Sequence, residues 1–552
     1  MARKSTAKGI LDGLHAHGIE RIFCLPRVQN DGFFAELFDM RERFDVVHAR
    51  HEQGAAYMAL GHALASGKPS VYCVVPGPGF LNTTTALATA WSTGARVLAL
   101  VGQLPQRQIG RGHGLLHEIP DQDRMLASLT GWSARVESPL EAPALVDEAF
   151  RSMAEGRPRP AGLEVPMDVW SLTAEVPESC PQAPRPRPLD EVAIDQAARL
   201  LASARKPMMV VGGGALDAAD QVRAVAELLG APVSHFRMGH GVLDARHPLS
   251  VPHPVGYRLW KESDVVLAVG TRLQMQQLGW GTDERLAIVR IDIDPVEIGR
   301  VQSPAVGIAG DAGRCLAALA RRLPEYLAKT VARNPTAGRQ AEIEAARKAF
   351  AAEIAHLEPQ LTYLDILREA LGDDGILVDE LTQIGYVGRF AWPARTPRKV
   401  ISSGYQGTLG WGVATAIGVR FACPRQRVLS INGDGGFMFN LAELATAVQW
   451  RLPIVFLVMD DGAFGNVRRI QEQQYGNRVI ATDLANPDFA AMAETFGARG
   501  MRAHDPQSLA SILPEAFAHA GPVVIHLRCG PMPDPWKFML LPPIRGNADP
   551  VF

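Results

Sequence analysis

The chain carries, at positions 427–436, the run Arg427-Val428-Leu429-Ser430-Ile431-Asn432-Gly433-Asp434-Gly435-Gly436. Its apolar first half predicts a buried parallel strand, and its glycines predict a tight turn at the strand end. The segment Leu441 to Trp450 has the amphipathic pattern of a helix. A second apolar run, Ile454 to Met459, predicts another strand that ends at Asp460-Asp461-Gly462. The order strand, helix, strand indicates an α/β fold built on parallel sheets.

Two carboxylates, those of Asp434 and Asp461, directly follow the two predicted strands. Both are therefore expected at the carboxyl edge of the sheet, where open α/β sheets bind ligands. Glycines at such an edge let the backbone approach a phosphate, and a helix N-terminus favours its negative charge. Because two carboxylates would repel a bare diphosphate, they indicate a divalent cation between them, and oxygen ligands suit Mg²⁺.

The pattern Gly433-Asp434-Gly435 followed by Asp460-Asp461 resembles the signature of the thiamine-diphosphate-dependent enzymes, in which the second pair is usually Asn-Asn. The resemblance implies a Mg²⁺ ion held by the side chains of Asp434 and Asp461 and by the carbonyl of Ala463. At Asp460 and Asp461 the chain departs from the usual asparagines, and the extra carboxylate makes the predicted site more anionic. The residues assigned to this side of the cofactor are Glu380, Leu381, Gly433, Asp434, Gly435, Gly436, Asp461, Ala463, Phe464 and Gly465.

A second site is predicted far upstream. The segment Asp45 to Arg50 predicts a strand, and the small residues after Glu52 predict a helix. A glutamate in a first helical turn is most often a surface residue favoured by the helix dipole. By the resemblance, however, Glu52 is the catalytic acid that protonates N1′ of the aminopyrimidine, which promotes loss of the thiazolium C2 proton. Since this role needs a carboxyl that keeps its proton near neutral pH, we expect an apolar pocket and a raised pKa.

Two further segments complete the implied cofactor site. The turn at Pro76 and Gly77, with Asn82, is expected beside the pyrimidine ring. Downstream, the carbonyl of Gly407 is expected to accept a hydrogen bond from the 4′-amino group. Leu409 is expected to be the apolar wedge that bends the cofactor into a V shape. Both therefore count among the predicted catalytic and cofactor-binding residues.

The length of 552 residues and the positions of the turn- and linker-forming segments predict three doubly wound parallel-sheet domains. By the resemblance, they are a pyrimidine-binding domain at 1–176, a central vestigial nucleotide-binding-like domain at 190–330, and a thiamine diphosphate and Mg²⁺ domain at 358–540. A proline-rich linker runs from Pro177 to Pro188. In the central domain, Gly212-Gly213-Gly214 lacks the full dinucleotide pattern, so FAD is possible but not supported.

Composition narrows the partners and the compartment. The net charge of −2 argues against nucleic acid or an anionic membrane as a partner. The six cysteines are scattered singly, without a Cys-x-x-Cys pair, so reduced thiols and a cytoplasmic location are expected. In relatives the cofactor bridges the first and third domains of two different chains. The resemblance thus implies a homodimer or homotetramer with active sites at the subunit interface.

The sequence resembles the acetolactate synthase-like group of this superfamily along nearly its full length. This implies a carboligase or lyase acting on 2-oxo acids or 2-hydroxy ketones through a C2-carbanion. Four alternatives stay open: a 2-oxo acid decarboxylase that releases an aldehyde, a flavin-linked 2-oxo acid oxidase, a 2-hydroxyacyl-CoA lyase, and a non-catalytic relative that acts as a binding subunit. Intact Glu52, Leu409 and Asp434 argue against the last.

The predicted substrate pocket departs from that group. Arg27 stands where a glycine is common, and Val28 and Gln29 should follow it into the pocket. The segment Leu116-His117-Glu118 replaces the usual Phe-Gln-Glu. Because histidine titrates near neutral pH, His117 is a candidate proton relay; the alternative is a polar residue that only shapes the wall. Further candidates for the pocket or the relay are Trp411, His113 and His247.

Overall fold

The structure is a computed structural model that describes residues 2–329, 335–546 and 548–549. The described residues fall into two compact units. The first unit takes those within 1–185, 374–382 and 403–529, and the second takes those within 186–373, 383–402 and 530–552. In the described part of the chain, no helix is long and apolar enough to cross a lipid bilayer. All six cysteines carry free thiols.

The N-terminal region is built around a parallel sheet. Its strands are β1 (Ala2–Ser5), β2 (Arg21–Cys24), β3 (Asp45–His48), β4 (Ser70–Val74), β5 (Val97–Gln103), β6 (Trp132–Arg135), β7 (Ala161–Pro166) and β8 (Thr173–Val176). Its helices are α1 (Thr6–Ala16), α2 (Asp31–Asp39), α3 (Glu52–Ser66), α4 (Pro78–Thr93), α5 (Gln122–Leu129) and α6 (Ala142–Ala154). The sheet order is β3-β2-β4-β5-β7-β6, and every neighbouring pair is parallel. Strands β4 and β5 are buried along their whole length, as central strands of such a sheet should be.

The central region repeats this architecture after a linker, residues 177–190, that forms neither helix nor strand. Its strands are β9 (Pro207–Val211), β10 (Val233–His235), β11 (Ser250–Pro252), β12 (Val265–Val269), β13 (Ala287–Asp292) and β14 (Val306–Ala309). Its helices are α7 (Glu191–Ser203), α8 (Ala219–Leu229), α9 (His253–Trp260), α10 (Pro295–Ile298), α11 (Ala312–Lys329) and α12 (Pro335–Ile354). The parallel sheet has the order β11-β10-β9-β12-β13-β14. A β-carbon on Gly212 would lie 2.5 Å from the carbonyl of Gly270, so close loop packing accounts for that glycine.

The C-terminal region holds the third sheet. Its strands are β15 (Ile376–Asp379), β16 (Val400–Ser402), β17 (Val428–Gly433), β18 (Val455–Asp460), β19 (Arg499–Ala503) and β20 (Val523–Arg528). Its helices are α13 (Gln360–Leu371), α14 (Gln383–Ala391), α15 (Gly412–Ala422), α16 (Asp434–Phe439), α17 (Leu444–Gln449), α18 (Gly465–Gln474), α19 (Phe489–Phe496) and α20 (Pro506–Ala518). The order is β16-β15-β17-β18-β20-β19. The predicted fold class, three doubly wound parallel-sheet domains, is confirmed.

The predicted strands around the glycine turn are confirmed as the neighbouring parallel pair β17 and β18. The predicted helix from Leu441 to Trp450 is found as a 3-10 turn followed by a short α-helix, and a separate helix that was not predicted precedes it. Helix α16 already begins at Asp434, because Gly433 ends the strand in an extended conformation and serves as the N-cap. A 3-10 turn, Leu441–Glu443, then precedes the short helix α17. Asp434 therefore lies in the first turn of a helix, where its charge is favoured.

Helices α3 and α15 bring the first and third sheets together within the first unit. They cross at small residues, so that their backbones nearly touch. A β-carbon on Gly61 would lie 2.1 Å from the carbonyl oxygen of Thr415, and one on Gly418 would lie 1.9 Å from that of Met58. Any larger residue at either glycine would force the helices apart, and α3 carries Glu52 at its first position.

Candidate active site

Four loops meet at the carboxyl edge of the N-terminal sheet. Strands β3, β2, β4 and β5 are parallel neighbours, so the loops that follow them lie at one edge. These loops carry Glu52 after β3, Arg27 after β2, Gly77 after β4 and His117 after β5. The structure therefore brings together residues that the sequence separates by up to 90 positions.

Glu52 is buried, with only 5 % of its surface exposed. Its Oε2 accepts a hydrogen bond of 3.0 Å from Nδ2 of Asn82, a predicted partner at the pyrimidine side. Its Oε1 lies 3.7 Å from Nε of Arg27. The expected apolar pocket is thus only partly found, because two polar side chains border the carboxyl group. Burial holds the carboxyl in place, and Asn82 fixes one of its oxygens.

The turn after β4 is fixed by hydrogen bonds and by close packing. Gly77 has φ 58°, a backbone conformation that favours glycine. A β-carbon there would lie 2.3 Å from the carbonyl oxygen of His117. The Gly77 amide donates a 2.8 Å hydrogen bond to Oε1 of Gln122, and Nε2 of Gln122 donates to Glu164 at 2.7 Å. This buried chain of bonds holds the Pro76-Gly77 turn against the loop of His117.

The ring of His117 is oriented by buried Gln29. Nε2 of Gln29 donates to the carbonyl of Leu116 at 3.2 Å, so its Oε1, 3.0 Å from Nδ1 of His117, acts as the acceptor. This network places the proton of the neutral imidazole on Nδ1 and leaves Nε2 basic. Burial lowers the pKa of His117, and the charge of Arg27 lowers it further, against the opposing effect of Glu52. At neutral pH the ring is therefore uncharged, and its unprotonated Nε2 can accept a proton. Its φ of 68° is unusual for a non-glycine residue.

At the carboxyl edge of the C-terminal sheet, Asp434 accepts three hydrogen bonds. Its Oδ1 accepts from the amide of Gly435 at 2.8 Å. Its Oδ2 accepts from the amide of Gly462 at 3.0 Å and from Nδ2 of Asn486 at 2.6 Å. Burial raises the pKa of Asp434 to about 6, and the charges of Asp461 and Asp460 add to this effect. These three donors are neutral, so they do not balance the charge of the ionised Asp434 carboxylate. A divalent cation would supply the missing positive charge.

The unusual Asp460 is compensated by residues that no sequence motif indicated. Its Oδ2 lies 2.8 Å from Nε2 of His526, and its Oδ1 accepts from Nδ2 of Asn486 at 2.7 Å. Burial alone would raise the pKa of Asp460, but the bonds from His526 and Asn486 outweigh it and lower the pKa. The extra carboxylate therefore has its own partners, and Asp434 and Asp461 are left as the candidate ligands.

The donor set fits Mg²⁺ in its chemistry. It has the carboxylates of Asp434 and Asp461 and the carbonyl of Ala463, all oxygen donors, and phosphate oxygens would complete the coordination. A β-carbon on Gly465 would lie 2.6 Å from Oδ2 of Asp461, and one on Gly435 would lie 2.5 Å from the ring of Phe464. Glycine at position 465 thus leaves room for the carboxylate of Asp461, and glycine at 435 leaves room for the ring of Phe464. Among the described residues, no group of three or more His, Cys, Asp and Glu side chains could hold a metal. The proposed site has only two such side chains and a backbone carbonyl, so it does not depend on a group of that kind.

The remaining predicted cofactor residues cluster around the end of β15. A β-carbon on Gly407, which has φ 57°, would contact Cδ1 of Leu381 at 3.8 Å. The buried carboxyl of Glu380 accepts a hydrogen bond from the amide of Gly410, and burial raises its pKa to about 8. In the structure the Glu380 carboxyl supports the loop of Leu409, and its predicted place at the diphosphate stays a prediction. Leu409 itself is half-buried.

Glu443 was missed by the sequence reasoning. Its buried carboxylate accepts hydrogen bonds from the amides of Arg50, at 3.0 Å, and His51, at 2.9 Å, directly before Glu52. Thr446 donates to its other oxygen at 2.7 Å. The signal was present in the helical spacing, since Glu443, Thr446 and Ala447 share the buried face. Glu443 links the segment after Asp434 to the start of the helix that carries Glu52.

Replacing Glu443 by Ala is expected to destabilise the protein by about 2 kcal/mol, because two partly buried backbone amides lose their acceptor at about 1 kcal/mol each. Turnover should fall as well, since the start of α3 loses its anchor. Glu443→Gln is the matched control: its amide oxygen keeps an acceptor for both amides, so it should lose little stability. Urea denaturation measures the difference. Equal midpoints for Ala and wild type would contradict the anchoring role.

The other pocket candidates are placed as follows. Val28 is exposed, whereas the ring of Trp411 is fully buried and packs inside the first unit. Nδ1 of His113 lies 3.0 Å from Oε1 of Gln108 on its own loop. In the second unit, Nε2 of His247 lies 3.2 Å from Glu227. Of the histidines proposed for a relay, His117 is the one whose hydrogen bonds orient it beside Glu52 and Arg27.

Comparison with known proteins agrees with this geometry. Three family models match the chain: the N-terminal TPP binding domain of thiamine pyrophosphate enzymes at residues 4–125, their central domain at 194–319, and their C-terminal TPP binding domain at 383–527. The chain is 34 % identical to a probable 2-ketoarginine decarboxylase of Pseudomonas aeruginosa, over 93 % of this chain and 92 % of that protein. It is 31 % identical to an acetolactate synthase of Arthrospira platensis, over 97 % and 96 % of the two chains. It is 28 % identical to the acetolactate synthase isozyme 1 large subunit of Escherichia coli, over 100 % and 98 %.

The matches cover each of the three sheets and both carboxyl-edge sites. The predicted family and the predicted cofactor, thiamine diphosphate, are therefore confirmed. The chain belongs to the thiamine pyrophosphate enzyme family and is a thiamine-diphosphate-dependent enzyme of the acetolactate synthase-like type.

Proposed function

We propose that the protein is a thiamine-diphosphate- and Mg²⁺-dependent enzyme that forms or cleaves carbon–carbon bonds of 2-oxo acids or 2-hydroxy ketones. The observation that carries this proposal is that one sheet edge holds both a buried Glu52, bound by Asn82, and His117, oriented by Gln29. When bound, thiamine diphosphate supplies the nucleophilic carbon and the electron sink for such a reaction. The protein's own residues supply the binding, the orientation and the proton transfers.

Each residue has a defined task in this proposal. The Glu52 carboxyl exchanges a proton with the pyrimidine side of the cofactor, and Asn82 keeps that carboxyl oriented. The carboxylates of Asp434 and Asp461 and the carbonyl of Ala463 hold Mg²⁺. The Gly407 carbonyl and the Leu409 side chain set the shape of the bound cofactor.

The two leading reactions differ in the atom to which His117 delivers a proton. Its basic Nε2 can take up a proton and return it to a substrate carbon or oxygen. Return to carbon gives a decarboxylase, in which one 2-oxo acid and one proton yield an aldehyde and CO₂. Transfer to the oxygen of a second carbonyl compound gives a carboligase. We propose the carboligase or lyase first, because two of the relatives above are acetolactate synthases; the decarboxylase is the second candidate, favoured by the relative from Pseudomonas.

The proposed assembly rests on the family, in which the cofactor lies between two chains. We propose a homodimer, or a dimer of dimers, in which Glu52 of one protomer and Asp434 of its partner serve one cofactor.

Product analysis tests the function. The purified protein, with thiamine diphosphate and Mg²⁺, is given pyruvate and other 2-oxo acids, with and without an aldehyde or a second 2-oxo acid. A carboligase yields an acyloin or an acetohydroxy acid, whereas a decarboxylase yields free aldehyde alone. Absence of both products across the panel, with cofactor shown to bind by calorimetry, would refute the proposal. A yellow protein that consumes O₂ would indicate the flavin-linked oxidase instead.

A further inference from the structure

The loop after β2 places a guanidinium group beside Glu52. Arg27 adopts an extended backbone and precedes a 3-10 turn, Val28–Asn30. The turn is anchored from below, because buried Asn30 donates a 2.9 Å hydrogen bond to the carbonyl of Val74 at the end of β4. Gln29 is buried too and binds the loop of His117. The position of Arg27 is therefore fixed by its neighbours, although its own side chain is 56 % exposed.

The Arg27–Glu52 pair is loose. The 3.7 Å separation of Nε and Oε1 exceeds hydrogen-bond length, so the fork of the guanidinium does not grip the carboxylate. Exposed arginines held this way gain little from the pairing. A guanidinium binds a carboxylate best through two parallel N–H donors, a geometry that Glu52 does not offer here. Arg27 is thus available for a second anion at the same sheet edge.

The nearest acid on the neighbouring loop does not compete for Arg27. The carboxylate of Glu118 accepts hydrogen bonds of 2.9 Å from the amides of Gly112 and Leu115, so it is turned onto its own loop. His117, the other titratable group facing Arg27, lies on the same loop and feels the charge of Arg27. Arg27 therefore presents its guanidinium at the edge around Glu52 without a bond from Glu118.

We propose that Arg27 binds a substrate carboxylate that the reaction does not remove. The inference rests on the proposed function and specifies its substrate class. A guanidinium on the carboxylate that leaves as CO₂ would stabilise the substrate more than the transition state and so oppose catalysis. The retained carboxylate belongs either to the side chain of a dicarboxylic 2-oxo acid or to a 2-oxo acid that acts as acceptor. By the same charge, a 2-oxo acid with a cationic side chain is disfavoured, which separates this chain from the activity in the name of its Pseudomonas relative.

The test compares substrate pairs in wild type and in Arg27→Met, with Arg27→Lys keeping the charge but not the fork. Donors are 2-oxoglutarate, 2-oxohexanoate and 5-guanidino-2-oxopentanoate; acceptors are 2-oxobutanoate and propanal. If the side chain is the source, the ratio of kcat/KM for 2-oxoglutarate to that for 2-oxohexanoate should fall about 10- to 100-fold in Arg27→Met. If the acceptor is the source, the ratio of product formed from 2-oxobutanoate to that from propanal should fall instead. Both ratios measured for Arg27→Lys should lie between those of wild type and those of Arg27→Met.

Two outcomes overturn the assignment alone: both ratios stay within about twofold of wild type, or wild type prefers the guanidino substrate. Turnover with unchanged ratios leaves the proposed function intact. If no substrate reacts although cofactor binds, the proposed function fails, and the role of Arg27 fails with it. Melting temperatures of both variants, measured in parallel, confirm that they are folded.

Discussion

Glu52→Gln is expected to abolish turnover while the affinity for thiamine diphosphate stays nearly unchanged. The amide has the shape of the carboxyl, and its oxygen can still accept the hydrogen bond from Asn82. It cannot, however, exchange a proton with the cofactor. Since a positioned acid or base contributes about 10²- to 10⁴-fold to a rate, kcat should fall by at least about 100-fold. Steady-state kinetics and calorimetric titration of the cofactor measure the two quantities separately.

Asn82→Ala is the matched control for this prediction. It removes one hydrogen bond from the Glu52 carboxyl but leaves the acid in place. Turnover should fall far less than in Glu52→Gln, because burial still holds the carboxyl at the start of α3. A Glu52→Gln enzyme that keeps more than about a tenth of wild-type turnover would show that the proton comes from another group.

The sequence predicted those parts of the site in which chemistry and local structure share one short segment. Glycines and an aspartate between two apolar runs placed Asp434 and Asp461 at the ends of adjacent strands, and the pairing of β17 with β18 confirms this. Short apolar runs bounded by glycines or aspartates favour a buried parallel strand, so the position of the turn follows.

Contacts between distant segments were not predictable in the same way. Asp460 and His526 lie on neighbouring strands only because β18 pairs with β20, and no local pattern reports that pairing. Asn486 binds two carboxylates from a loop whose sequence is unremarkable. The long-range partners of Asp460 depend on sheet order, which the sequence left open.

The bounds of the helix after the glycine turn also depended on tertiary structure. Amphipathic spacing pointed to Leu441 as its start, but the extended Gly433 lets α16 begin at Asp434. Glycine has low helix propensity, so Gly435 and Gly436 argued against a helix there. Close packing explains why glycine stands in this helix all the same: a β-carbon on Gly436 would lie 2.8 Å from Oε1 of Glu380.

Asp434→Ala is expected to eliminate the Mg²⁺-dependent part of cofactor binding. Asp434 is the candidate ligand with the firmest placement, held by Gly435, Gly462 and Asn486. Loss of even an outer-shell partner commonly costs 10- to 100-fold in metal affinity, so loss of a ligand should cost about 100-fold or more. Titration of thiamine diphosphate with and without Mg²⁺ measures this, and Asp434→Asn, which keeps the shape but not the charge, should lose nearly as much.

Asp460→Asn provides the internal comparison. It removes a carboxylate at the end of the neighbouring strand β18, one already bound by His526 and Asn486. Mg²⁺-dependent binding should therefore survive in Asp460→Asn. Equal losses in the Asp434 and Asp460 variants would mean that overall negative charge, rather than ligation by Asp434, governs the affinity.

The Asp434→Ala variant, mixed with the Glu52→Gln variant, tests how the half-sites combine. If each cofactor lies between Glu52 of one protomer and Asp434 of its partner, a heterodimer of the two inactive variants has one intact site and one doubly altered site. Random reassociation into symmetric dimers should then restore about a quarter of wild-type activity. If both groups served one cofactor within a single chain, every site in the mixture would keep one lesion and no activity would return. Glu443 is unaltered in both variants, so its link between the segment after Asp434 and the start of α3 is kept in either arrangement.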